Sequence, residues 1–179
     1  DALGIDFRTR GKRLDETLDA VRGAYADTYV SHSGEFYSYA DVGIAPHPAA
    51  ALPIWIGGSG KASWRRAGRI GDGYIPMGNG KEQYGEIVDT IHSAAAAEGR
   101  AEVGFDIGYM PPWTYLLGEV PEGVMALSGG IEPLVDDLRA ARLAGANTFH
   151  LKFRARDLPE YLDQVDAFAE EVVPLVTEG

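Results

Sequence analysis

Apolar positions recur at helical spacing in several segments of this chain. The first such segment is "RLDETLDAVRGAY", which places on one face Leu14, Leu18, Val21 and Tyr25. Residues three and four apart share a face of a helix, so the spacing predicts an amphipathic helix. Asp15 and Glu16 fall near its start, and we place them in the first turn, where the helix dipole favours carboxylates.

The next stretch has no sustained period. It reads "VSHSGEFYSYADVGIAPHPAAALP" and is rich in glycine, proline and aromatic residues. This composition predicts either an irregular crossover or a short hairpin. Residues 1–51 are therefore interpreted as a helix followed by an irregular insertion.

From residue 52 onward, short apolar runs alternate with amphipathic segments. The predicted strands are "PIWIGG", "GYIPMG", "VGFDIGYM" and "TFHLKF", and the segments after them are "KASWRRAGRI", "EQYGEIVDTIHSAAAAEG", "IEPLVDDLRAARLAGAN" and "DLPEYLDQVDAFAEEVVPLV". Four strands that alternate with helices predict a parallel α/β sheet. Residues 52–179 are accordingly assigned to β/α units, and residues 1–179 to a single domain.

The last helical segment carries a cap signal and an apolar face. Asp157 and Glu160 stand at capping-box spacing, with aspartate in place of the usual serine or threonine. The helical period predicts that four apolar side chains point inward, namely Leu162, Val165, Phe168 and Val172.

Composition narrows the class of protein. Sixteen basic residues against 27 acidic ones give a formal charge of -11, which opposes general association with nucleic acid or anionic membranes. Cysteine is absent, which excludes disulfides and thiolate metal sites. No apolar run approaches the roughly 20 residues that span a bilayer, and the first residues lack a signal peptide's apolar region. We therefore expect a cytoplasmic protein.

Glycines cluster between the first two predicted strands, in "WIGGSGKASW". Three known glycine motifs do not fit. A P-loop requires glycine where Trp55 stands and serine or threonine where Ala62 stands. A nucleophile elbow requires glycine in place of Lys61, and a dinucleotide fingerprint requires glycine in place of Ser63. What remains is a set of unhindered amides at a helix start, which suits a phosphate. A tight strand-to-helix turn with solvated basic side chains explains the same residues.

The histidines do not form a metal-binding pattern. His32, His47, His92 and His150 include no pair at i, i+4 spacing, so no metal site is predicted. His150, in a predicted strand, is interpreted as a hydrogen-bonded core or rim residue, with contact to a substrate as the alternative.

Several landmarks together resemble a known family. The segments "RLDETLDAVRGAY", "SHSGEFYSY", "PIWIGGSGKASWRRAGRIGDGYIP", "GGIEPLVDDLRAARLAGANTFHLKF" and "FAEEVVPLV" follow one another as in the bacterial luciferase-like flavin- or deazaflavin-dependent oxidoreductases. The resemblance implies a (β/α)8 TIM-barrel fold that binds FMN or the deazaflavin coenzyme F-420 at the carboxyl ends of its strands. Such a barrel takes about 250 residues, and this chain carries the signals of only the C-terminal half, about four β/α units.

The resemblance also implies site residues. Gly57, Gly58, Ser59 and Gly60 match the loop that receives the cofactor phosphate. Met77 and Gly78 match positions near the cofactor edge, although core packing is an equally good explanation of the methionine. Lys61 and Arg65 either add charge to this site or point to solvent. The catalytic residues are unknown, because the family places most of them in the absent half.

Three functions are consistent with these observations. The first is a flavin- or deazaflavin-dependent oxidoreductase, acting by hydride transfer or monooxygenation on an unknown small organic substrate, with this chain supplying the phosphate-binding half. The second is a non-catalytic cofactor-binding or structural remnant. The third, a barrel isomerase or aldolase acting on phosphate substrates, explains the glycines but not the order of landmarks. Because open sheet edges invite pairing, we expect a homodimer or pairing with a missing N-terminal half.

Overall fold

The fold divides between residues 54 and 55 into two units, Asp1–Ile54 and Trp55–Gly179. The computed structural model describes residues 4–126 and 128–177. The division lies close to residue 51, where the sequence separates the helix and insertion from the β/α units. That all 179 residues form one domain stays a prediction.

The first unit contains a helix and a hairpin. A 3-10 turn at Phe7–Thr9 leads into α1 (Arg10–Ala26). Strands β1 (Val30–Ser33) and β2 (Ser38–Val42) then pair antiparallel. The predicted helix is therefore confirmed, and of the two alternatives for the insertion the hairpin is the one observed.

The first turn of α1 differs from the prediction. Because the helix begins at Arg10, Asp15 and Glu16 lie beyond its first turn, which contains no acidic residue. Glu16 instead accepts hydrogen bonds from the amides of Phe36 at 3.0 Å and Tyr37 at 2.7 Å. Its carboxylate thus holds the loop of the hairpin against the helix.

The second unit is built from parallel β/α units. Its strands are β3 (Trp55–Gly58), β4 (Gly73–Pro76), β5 (Asp106–Tyr109), β6 (Thr114–Tyr115), β7 (Ser128–Gly129) and β8 (Thr148–Phe149). Its helices are α2 (Lys61–Ile70), α3 (Tyr84–Ala97), α4 (Ile131–Leu143), α5 (Leu158–Ala167) and α6 (Val173–Thr177), with a π-helical turn at Phe168–Val172 before α6. The main sheet has the order β3-β4-β5-β8, and every pair in it is parallel. The predicted parallel α/β sheet is confirmed.

The core lies between the sheet and its helices. Ile56, Tyr74 and Ile107 from three neighbouring strands are buried, and helices α3 and α4 bury a further set that includes Tyr84, Ile87, Ile91, Leu134 and Leu138. Each fully buried aliphatic or aromatic side chain contributes roughly 1.5–3 kcal/mol of transfer free energy. The helical periods that predict α3 and α4 thus correspond to real buried faces.

Strand β8 is shorter than its sequence predicts. Only Thr148–Phe149 of "TFHLKF" pairs with β5. Beyond Tyr109 the neighbouring chain continues into Pro111 and Pro112, which have no amide to donate to a ladder. Pairing resumes only at Thr114, whose amide donates to the Lys152 carbonyl at 2.9 Å.

Helix α5 contradicts part of the predicted apolar face. Leu162 is 51% exposed and Val165 is 37% exposed, so their inward placement is wrong. Glu160 and Gln164 are buried instead. Gln164 accepts from the amide of Leu116 at 3.0 Å and Glu160 accepts from the Tyr115 hydroxyl at 2.9 Å, so hydrogen bonds with partners around β6 fix which side of the helix faces inward.

Candidate functional site

The glycine loop connects the end of β3 to the start of α2. Gly58 has φ +146°, and a Cβ placed on it would lie 2.6 Å from Ser63 Oγ. Residues that carry a side chain rarely adopt this backbone conformation, so the position requires glycine. At Gly57 an added Cβ would make only an ordinary contact, 3.7 Å from Ile75 Cγ2. The conformation of the loop therefore depends on Gly58.

The start of α2 presents free backbone donors. Gly60 is the N-cap residue and provides no side-chain cap. Within the described residues, the amides of Ser59, Gly60, Lys61 and Ala62 donate no hydrogen bond to another group of the chain. A helix of this length concentrates partial positive charge at its N-terminus. These residues therefore have the donor chemistry and the open backbone that a phosphate requires.

A backbone hydrogen bond joins the two parts of the predicted site. The amide of Met77 donates to the Gly58 carbonyl at 3.2 Å, beside the paired strand ends Gly58 and Pro76. Gly78 follows with φ +85°, and a Cβ added to it would meet nothing within 4 Å. All six residues predicted to contact the cofactor, Gly57, Gly58, Ser59, Gly60, Met77 and Gly78, thus lie at the carboxyl ends of β3 and β4. Their contact with a cofactor stays a prediction.

Met77 does not belong to the core. Its side chain is 60% exposed. The core-packing explanation is therefore wrong for this residue.

The basic residues of α2 contribute less to the loop than their number suggests. Lys61 Nζ lies 2.5 Å from Glu86 Oε1, so its charge is compensated by α3. Arg65 is exposed and lines a groove with Glu86 and Asp89. Neutral backbone donors, rather than these cations, therefore dominate at the loop.

A cavity of about 570 Å³ opens beside Gly78. Its lining includes Pro76, Lys81, Tyr109, Asp137 and Lys152. Lys81 forms an ion pair with Asp137. Tyr109 donates to the other oxygen of the same carboxylate at 2.7 Å, and burial together with this hydrogen bond raises the pKa of Tyr109 well above its usual value. Tyr109 therefore keeps its proton at neutral pH.

Of the residues that line this cavity, the sequence predicted Gly78 as a site residue but not Lys81, Tyr109 or Asp137. Lys81 and Asp137 are separated by 56 positions along the chain, and no short motif links them. The sequence feature that could have identified them is their position relative to the predicted strands. Lys81 and Tyr109 stand at or just after the carboxyl ends of neighbouring strands, where barrel proteins bind their ligands.

The histidines occupy separate environments. His32 pairs with Glu16 at 3.4 Å, His92 packs edge-on against Phe105, and the side chain of His150 is exposed. No cluster of three potential metal ligands occurs among residues 4–126 and 128–177. The same residues contain no helix with the length and apolar character needed to cross a bilayer.

The parallel sheet and the strand-end loops define an α/β protein of the barrel type. A sequence model of the luciferase-like monooxygenase family matches residues 1–171, and the chain belongs to that family. The resemblance inferred from the sequence is thereby confirmed.

Relatives and solved structures agree with this assignment. An uncharacterized protein of Mycobacterium tuberculosis is 28% identical over 168 residues, which cover 93% of this chain and 56% of the relative. A glucose-6-phosphate dehydrogenase of Segniliparus rotundus that depends on coenzyme F-420 is 33% identical over 120 residues, which cover 62% of this chain and 36% of the relative.

Among solved structures, a secondary alcohol dehydrogenase that depends on F-420, in complex with an F-420–acetone adduct, matches with a TM-score of 0.77. It is 15% identical, and the match covers 96% of this chain and 63% of that one. A monooxygenase from Streptomyces bottropensis matches with a TM-score of 0.68 and 21% identity, over 97% of this chain and 64% of that one. These likenesses confirm the TIM-barrel type of fold. The chain spans little more than half the length of such proteins.

Proposed function

We propose that this chain supplies the cofactor-phosphate-binding half of a flavin- or deazaflavin-dependent oxidoreductase. The observation that carries the proposal is the loop Gly57–Gly60, with its free amides and its required glycine at 58, in a chain of the luciferase-like family. Amides at a helix start hold a phosphate without a compensating cation. The bound ring would supply the hydride or oxygen chemistry.

The protein's own residues would hold and orient the cofactor. Amides of Ser59 and Gly60 would donate to the phosphate, and Met77 with Gly78 would lie along the cofactor edge. The neighbouring cavity at Lys81 and Tyr109 would receive a small organic substrate. The catalytic residues are left unassigned.

Coenzyme F-420 is our first choice of cofactor and FMN the second. Relatives that exceed 30% identity include F-420-dependent glucose-6-phosphate dehydrogenases of Segniliparus rotundus and Kineococcus radiotolerans. A solved structure with 14% identity, a riboflavin lyase, contains modified FMN, so the fold also accepts a flavin.

A complete site would require further strands. Within the described chain, β3 and β8 are the edges of the main sheet, and each has a partner on one side only. Unpaired edges favour addition of another strand. We therefore propose that the active form is a homodimer or a pair with an N-terminal half. The second candidate function is a non-catalytic cofactor-binding or structural role, in which the loop holds the cofactor phosphate and this chain contributes no reacting group.

The test is a fluorescence titration of the purified chain with FMN and with F-420, repeated on Gly58→Val. Saturable binding that the substitution abolishes supports the loop as the phosphate site. Gly85→Val is the matched control, because an added Cβ at Gly85 meets nothing within 4 Å and the residue lies outside the loop. A folded parent chain that binds neither cofactor would refute the proposal. Binding without turnover, after a partner half and reductant are added, would favour the non-catalytic alternative.

A further inference from the structure

Two carbonyl groups of the glycine loop are held by side chains from outside it. The Gly58 carbonyl accepts from the Tyr74 hydroxyl at 2.6 Å, and the Ser59 carbonyl accepts from Asn79 Nδ2 at 3.0 Å. Tyr74 belongs to β4, and Asn79 follows that strand. The backbone of the loop is thus anchored to the next β/α unit at two successive peptide groups.

Both anchoring side chains are themselves fixed. Tyr74 is fully buried and accepts a hydrogen bond from Trp64 Nε1 at 3.0 Å. Burial raises the pKa of Tyr74, so its hydroxyl remains a donor at neutral pH. Asn79 Nδ2 also donates to Gln83 Oε1 at 3.0 Å, which orients its amide group. The anchoring groups therefore have little freedom to turn away from the loop.

The geometry of the peptide bond transmits this anchoring to the donors. In a trans peptide the C=O and the following N–H lie in one plane and point in opposite directions. Holding the carbonyls of Gly58 and Ser59 therefore aims the amides of Ser59 and Gly60 away from Tyr74 and Asn79. These are two of the amides that find no partner within the described chain.

We propose that Tyr74 and Asn79 are positioning residues that preorganise the amides of Ser59 and Gly60 for the cofactor phosphate. The inference rests on the proposed function, since it needs a phosphate at this loop. It goes beyond that function by assigning the orientation of the donors to two side chains that lie outside the loop. Preorganised donors bind more tightly because less conformational freedom is lost on binding.

The test compares ligands with and without the phosphate. Dissociation constants for FMN and riboflavin, and for F-420 and its phosphate-free riboside, are measured on the parent, Tyr74→Phe and Asn79→Ala. Loss of one ordering hydrogen bond should weaken binding of the phosphorylated ligand about tenfold. The affinity for the phosphate-free ligand should not change, because that ligand has no phosphate for the oriented amides to bind.

Controls separate positioning from general damage to the fold. Tyr115→Phe also removes a buried hydroxyl, one that donates to Glu160 at 2.9 Å, and it should change neither affinity. If Tyr74→Phe does not fold, the test is made with Asn79→Ala alone. Asn79 is only half-buried, so this substitution should disturb folding less.

Each outcome decides between the two proposals. If the parent binds FMN or F-420 and the variants lose phosphorylated and phosphate-free ligands equally, the positioning role is refuted while the proposed function stands. If neither substitution changes any affinity, the positioning role is likewise refuted and the proposed function stands. If the folded parent binds neither cofactor and inorganic phosphate shifts no amide resonance of Ser59 or Gly60, the proposed function fails and the positioning role fails with it.

Discussion

Tyr109 donates its hydroxyl proton to Asp137 Oδ2 across 2.7 Å and so joins the end of β5 to α4. The other oxygen of that carboxylate is taken by Lys81, which follows β4. One aspartate therefore fixes two polar groups from two strand ends on the wall of the same cavity. Its negative charge also compensates the lysine, which leaves this part of the wall close to neutral.

We expect Asp137→Asn to lower the pKa of Tyr109 without restoring its ordinary value. Burial is the larger cause of the raised pKa and persists in the variant, whereas the hydrogen bond to a carboxylate and its charge are lost. The measurement is a pH titration of the Tyr109 ring resonance. Asp136→Asn, at the exposed neighbouring position, is the control and should leave the titration unchanged. An equal response to both substitutions would count against the direct contact.

A second prediction concerns acid stability. The guanidinium and amide of Arg156, with the Tyr115 hydroxyl, lower the pKa of Glu160 to about 2 from an ordinary value of 4.5. A depressed carboxyl pKa stabilises the fold above the unfolded value, and this contribution is lost as pH falls through the folded value. The stabilisation by Glu160 should therefore be complete above pH 4.5 and disappear between pH 4.5 and 2.

Urea unfolding of the parent and Glu160→Gln at several pH values measures this effect. The difference in unfolding free energy between them should shrink steadily as the pH is lowered through this range. Asp163→Asn on the exposed side of α5 serves as the control. A difference that stays constant with pH would show that Glu160 acts through packing and not through its charge.

The sequence predicted the β/α order well because the core obeys local periods. Tyr84, Ile87 and Ile91 recur at helical spacing and are all buried in α3. Gly99, predicted to end that helix in a left-handed conformation, has φ +71°. Such features depend on neighbours in the chain, which the sequence displays directly.

Features that depend on distant partners could not be predicted in the same way. Glu160 and Gln164 take the inward positions of α5 because their polar atoms find partners at Tyr115 and Leu116, 45 and 48 residues away. The helical spacing of apolar residues predicts Leu162 on the inward face of α5 instead. The anchoring of Gly58 by Tyr74 could not be predicted for the same reason, because the two residues are 16 positions apart and no glycine motif relates them.

The exposed position of Met77 leads to a third prediction. Met77→Ala should change the unfolding free energy by no more than about 0.5 kcal/mol, as for other surface substitutions. A buried methionine would cost about 2–5 kcal/mol. Met125→Ala, at a methionine that is 75% exposed, is the matched comparison. If Met77→Ala weakens binding of F-420 or FMN while stability is unchanged and Met125→Ala does neither, Met77 contacts the cofactor.

The last prediction concerns the crossing of α2 and α3 at Gly68. A Cβ at this position would lie 2.2 Å from the Ile91 carbonyl oxygen and 2.9 Å from Ala94 Cβ. Gly68→Ala must therefore push the helices apart, and overpacking of this kind costs about 1–3 kcal/mol. Because α2 begins at the glycine loop, the displacement should also weaken cofactor binding.

Chemical unfolding of Gly68→Ala and Gly85→Ala makes the comparison within one helix pair. Gly85 lies in α3 with nothing within 4 Å of an added Cβ, so alanine there should leave stability unchanged or raise it by up to about 1 kcal/mol. If both variants unfold at the same urea concentration, the close approach at Gly68 does not limit the packing. If only Gly68→Ala is destabilised, the small residue at the crossing sets the position of the helix whose first turn forms the proposed phosphate site.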